Sequence, residues 1–82
     1  PSLAAVEYVG YVAMLSAMEP GLRQRVLAQF SGDGYDSDEQ INVTVYLVDP
    51  MRFGVEAYRL FLRQPDRREY LRAVFAGKRL AG

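Results

Sequence analysis

The chain has no histidine, no cysteine and no tryptophan. Without histidine it lacks the side chain that most often moves a proton near neutral pH. Without histidine and cysteine together, zinc loses its two commonest ligand types, and no disulfide can staple the fold. Long uncharged runs are missing too. The most apolar stretch, residues 2–18, carries Glu7 and falls short of the ~20 residues that a membrane-spanning helix needs. A basic start and cleavage pattern typical of a signal peptide is also absent, so a cytoplasmic protein with no membrane role is expected. Net charge is zero, which leaves no overall pull toward a polyanion.

What is present is apolar. Half of the 82 residues are hydrophobic, among them six tyrosines and four phenylalanines. One domain of this size buries only about 60% of its unfolded surface, so a surplus of apolar side chains points to a homodimer that covers it. Charge is unevenly placed. Residues 1–49 hold two basic against seven acidic side chains, and residues 50–82 hold eight basic against three acidic. Such a split favours an anionic partner for the second half, or pairing of unlike halves.

The sharpest local signal is 49–64, DPMRFGVEAYRLFLRQ. Arg52, Glu56, Arg59 and Arg63 recur at helical spacing and form one charged ribbon. The rest of that surface is mostly apolar and demands several covering neighbours. Asp49 is placed to cap the helix and Pro50 to open it, while Pro65 ends it. Residues 2–18 read as a buried or interface helix, with Ala4, Ala13 and Ala17 permitting close packing. After the break at Glu19-Pro20-Gly21, residues 22–30 resume a helix with Leu22, Val26 and Phe30 on one face. Asp66 and Glu69 form a capping box, Leu71, Val74 and Phe75 a buried stripe, and Gly77 a stop; the tail KRLAG is expected to fray.

Residues 31–39, SGDGYDSDE, are an acidic, glycine-rich loop. A calcium-loop register starting at Asp33 fails, because Tyr35 falls where an oxygen ligand is needed and Asp38 where glycine is. Residues 40–48, QINVTVYLV, alternate: Ile41, Val43, Val45 and Leu47 on one side, Asn42, Thr44 and Tyr46 on the other. This pattern predicts a strand, against a single helix argument, the Ser37/Gln40 capping box. A lone strand leaves unpaired backbone groups, so its partner must be the same strand of a second chain.

The expected architecture is therefore a single domain over 1–82, mainly α with one short strand. A helical N-terminal part (1–30) and the acidic loop (31–39) precede a strand-helix-helix part (40–79) that dimerises. Residues 40–79 resemble the ribbon-helix-helix DNA-binding family. VTVYL at 43–47 is similar to that family's alternating strand, and DRREYLR at 66–72 is similar to the opening of its second helix. The resemblance implies a dimeric transcriptional regulator that lays a two-stranded ribbon in the major groove of duplex DNA. Gln40, Asn42, Thr44 and Tyr46 would face the bases, and Arg67 and Arg68 would hold backbone phosphate. Val43, Val45, Leu47, Phe53 and Leu71 would form the dimer interface.

A second reading is a small α-rich assembly module that docks on a protein partner, in part through the basic C-terminal half at Arg59 and Arg63. It accounts better for the excess of apolar residues. Neither reading needs a cofactor or metal. No nucleophile–base pair or carboxylate pair has a legible spacing, so no enzymatic activity is expected. Pro1 as a catalytic amine is set aside, because a helical stretch follows it rather than a strand.

Overall fold

The computed structural model describes residues 2–77. Pro1 and residues 78–82, which include the expected frayed tail, lie outside the described residues. Among the described residues there are five α-helices: α1 (Leu3–Ala17), α2 (Pro20–Leu27), α3 (Val43–Val48), α4 (Pro50–Leu62) and α5 (Arg67–Phe75). One 3-10 turn, Asp38–Gln40, interrupts the loop before α3.

Each helix begins on a side-chain cap that satisfies an otherwise unpaired N–H. Ser2 Oγ accepts from Ala5 N–H at 3.1 Å, Asp49 Oδ1 from Arg52 N–H at 3.2 Å, and Asp66 Oδ1 from Glu69 N–H at 3.0 Å. Glu19 accepts twice, from Gly21 N–H at 2.9 Å and Leu22 N–H at 2.8 Å. The expected break at Glu19-Pro20-Gly21 is thus the cap and first turn of α2, which starts at Pro20 rather than Leu22. Those two backbone hydrogen bonds hold the Glu19 carboxyl below its ordinary range.

α1, α4 and α5 pack on one another, and α3 lies across α1 and α4. Tyr8, Val12 and Leu15 of α1 meet Phe53, Ala57 and Leu60 of α4 in the core. The Tyr8 and Tyr70 rings, 6.0 Å apart, tie α1 to α5. Phe53 is the centre: it has no exposed surface, and the rings of Tyr11 and Tyr46 meet it edge-on at 6.1 and 5.5 Å.

Within the expected strand at 40–48, residues Val43–Val48 are a helix, and no strand occurs among the described residues. The chain is all-helical there, so the strand-helix-helix unit is not formed. The reason is local and tertiary. Asn42 Oδ1 accepts from Val45 N–H at 3.1 Å, which starts α3. A helix closes its own backbone bonds, whereas a strand here finds no partner in its chain. The turn also brings Val45 and Tyr46 onto the core cluster. Ser37 does not cap through its hydroxyl: Gln40 N–H bonds the Ser37 carbonyl at 3.3 Å within the 3-10 turn.

Candidate functional site

Two surfaces compete for a functional role, the charged ribbon of α4 and the outer face of α1. The ribbon is engaged by its own chain, although Arg52 and Arg63 keep part of their side chains in solvent. Arg59 donates to Phe30 O at 2.9 Å and to Leu27 O at 2.8 Å, closing the end of α2. Arg63 donates to the carbonyls of Asp33 and Tyr35 and pins the acidic loop. Arg52 pairs with Asp49 at 3.5 Å and Glu56 at 3.7 Å, and stacks over Phe30. The loop fits closely because Gly34, at φ +95°, sits where a Cβ would lie 2.8 Å from Glu56 O.

Two more arginines close helix ends. Arg23 donates to Leu15 O at 3.1 Å and Ser16 O at 3.2 Å, at the last turn of α1. Arg67 donates to Leu62 O at 2.8 Å, at the last turn of α4, with its guanidinium over Phe61. Cations are favourable at helix C-termini for both the free carbonyls and the dipole.

An open cleft of about 690 Å³ lies between the acidic loop and α4, lined by Gly32, Asp33, Asp36, Arg59, Leu62 and Arg63. Its wall carries both signs of charge, and both guanidiniums are already bonded to carbonyls. Among the described residues no three His, Cys, Asp or Glu side chains are grouped to hold a metal ion. Two phenols, those of Tyr35 and Tyr11, are made weaker acids by their surroundings. Burial pushes Tyr35 up to about 12, with the Glu56 carboxylate adding to it. Burial, then Tyr46 and Glu7, raises Tyr11 as well.

The residues expected to contact DNA have different local surroundings. Asn42 is the cap of α3, Gln40 Oε1 accepts from Asp36 N–H at 2.6 Å, and Tyr46 packs on Phe53. Thr44 and Arg68 are exposed, while Arg67 is engaged with Leu62 O. The expected dimer interface is mostly internal to the chain. Phe53 is wholly buried, Val45 and Leu71 pack against the core, and Val43 is half-buried. Leu47 alone of the five is exposed; with Val48 and Met51 it makes an apolar corner between α3 and α4.

The outer face of α1 is different. Leu3, Val6, Gly10, Ala13, Met14 and Ala17 are all exposed, and at 100° per residue they share one stripe. Leu3, Val6 and Met14 keep 51%, 44% and 44% of their surface in solvent. No charged or polar side chain lies within the stripe; Glu7, half-buried, marks its edge. Helical spacing in the sequence places these six together, but that residues 2–18 leave this side bare could be seen only once the core partners were known.

Gly10 lies midway along this face. A Cβ built on it meets no atom within 4 Å beyond its own helix backbone. A mid-helix glycine is unfavourable by about 1 kcal/mol against alanine, and nothing inside the chain requires it here.

The family described as "Family of unknown function (DUF6639)" matches residues 1–82. The chain belongs to this family. No curated protein and no solved structure matches it. Among the described residues of this DUF6639 chain, no helix is long and apolar enough to cross a membrane.

Proposed function

We propose that this chain is a non-catalytic association module that docks on protein through the outer face of α1. One observation carries the reading: a 15-residue helix exposes a continuous stripe containing Leu3, Val6 and Met14 with no charge in it. Contiguous exposed apolar surface of this kind marks an interaction site. Covering each of the three half-exposed side chains removes a cost on the order of 1 kcal/mol. The arginines support the reading from the other side, since Arg23, Arg59, Arg63 and Arg67 are bound to backbone carbonyls. What α1's outer face offers a partner is apolar.

The test compares folding with association. Met14→Glu and Val6→Glu should shift the unfolding free energy by less than about 0.5 kcal/mol, as exposed substitutions do. In the same variants, any association measured by sedimentation should be lost. Should Met14→Glu instead destabilise the dilute chain as strongly as a core substitution, α1's outer face is part of the fold and the docking reading fails.

A further inference from the structure

We infer that the occupant of α1's outer face is a second copy of the chain, laid antiparallel with the two-fold axis at Gly10; this rests on the docking reading above. The inference comes from the order of side chains along the stripe. α1 runs from Leu3 to Ala17, so Gly10 is its midpoint. In an antiparallel pair about that point, residues whose numbers add to 20 lie opposite each other. Leu3 then meets Ala17 of the second copy, Val6 meets Met14, and Gly10 meets Gly10. Long side chains face short ones at the ends, and the two backbones approach most closely where neither has a Cβ. An isologous interface needs such self-complementarity.

Gly10 gives independent support. Gly54, the other mid-helix glycine, has a reason inside the chain: a Cβ there would lie 2.7 Å from Tyr11 Cγ. Gly10 has open space around it, so the reason for its missing side chain lies outside. Close approach of a second backbone supplies one.

Charge agrees with the antiparallel arrangement. Glu7 would face Ala13 of the other copy, and the two Glu7 carboxylates would stay about 9 Å apart along the axis, near the screening length in physiological salt. Antiparallel helices also place each positive end beside a negative end, whereas a parallel pair stacks like ends. The area sets the strength. A face 15 residues long, about 22 Å, removes on the order of 500 Å² from each copy. That is below the ~800 Å² per partner of stable complexes, so the dimer is expected to be weak.

The absence of cysteine makes the register directly testable. Gly10→Cys should form a disulfide-linked dimer on mild oxidation near 100 μM, because only close Cα atoms can be bridged. Ser16→Cys, on another side of α1, should not. Leu3→Cys and Ala17→Cys should each cross-link poorly alone and well when mixed. Met14→Glu should raise the dimer dissociation constant at least ~100-fold, while Leu47→Glu leaves it unchanged. Equal cross-linking at positions 10 and 16, efficient self-linking of Leu3→Cys, or a monomer mass at 1 mM would each overturn the pairing. Loss of association through Leu47→Glu but not Met14→Glu would overturn it too. The docking reading is decided separately, by the stability of dilute Met14→Glu.

Discussion

α1 and α4 are the two longest helices, and they treat their surfaces in opposite ways. α4 carries four charged residues on one ribbon and directs them to groups of its own chain: Arg59 and Arg63 to loop and helix-end carbonyls, Arg52 to Asp49 and Glu56. α1 carries one charge and leaves a stripe of six uncharged residues facing out, with Ser16 exposed on another side. Their glycines divide the same way, Gly54 pressed by Tyr11 and Gly10 touching nothing. The difference teaches that charges sharing one helix face can be taken up by groups of their own chain. On α1 the exposed stripe carries no charged group at all.

The contrast would break first in the core. Phe53→Ala removes the fully buried ring on which Tyr11 and Tyr46 rest, with an expected loss of about 3–5 kcal/mol. In a domain this small, urea titration should then find the chain largely unfolded; a loss under about 1 kcal/mol would show that α4 is not the centre. Arg59→Ala comes next. It removes two charge-assisted bonds that hold the end of α2 and should cost about 2–3 kcal/mol, with self-association unchanged. If Arg59→Ala left folding intact but abolished association, the ribbon rather than α1 would be the interaction surface.

The glycines sharpen the contrast because they should move in opposite directions. Gly54→Ala forces the Tyr11 ring aside and should destabilise by about 1–3 kcal/mol. Gly10→Ala meets open space and should stabilise the dilute chain by about 0.5–1 kcal/mol, while weakening any dimer. The smallest effect is at the start of α2. The Glu19 carboxyl is held below its ordinary value of 4.5, so its contribution is present above that pH and fades as pH falls through the lowered value. Glu19→Gln should flatten this part of the acid limb in a series of urea midpoints; an unchanged limb would mean that the two cap bonds do not distinguish the protonation states.

Much of the helical frame was legible in the residues. Asp49 and Pro50 open α4, and Asp66 caps α5, as their positions foretell. The 43–48 segment was not legible, for a physical reason. β-branched residues and a clean alternation describe a pleated surface equally well whether or not a neighbouring strand exists. Asn42 was the overlooked signal, a good cap three residues before Val45. The ribbon-helix-helix resemblance rested on that segment being extended, and α3 removes its groove-reading element. The partners of the arginines are hidden in the sequence for a related cause: periodicity shows that Arg52, Arg59 and Arg63 share a face, but not that carbonyls from residues 27–35 come to meet two of them. The exposed stripe on α1 was hidden because a helix apolar on every side reads as buried.

One measurement bears most directly on the claim that α1's outer face is reserved for a partner. Backbone amide shifts, followed by nuclear magnetic resonance while the chain is concentrated from about 10 μM to 1 mM (the span around a weak dimer's midpoint), report where contact forms. The account predicts changes centred on Leu3, Val6, Gly10 and Met14, with α5 and the acidic loop still. Changes centred instead on Leu47–Met51 or on Arg59 and Arg63, or none at all, would contradict it.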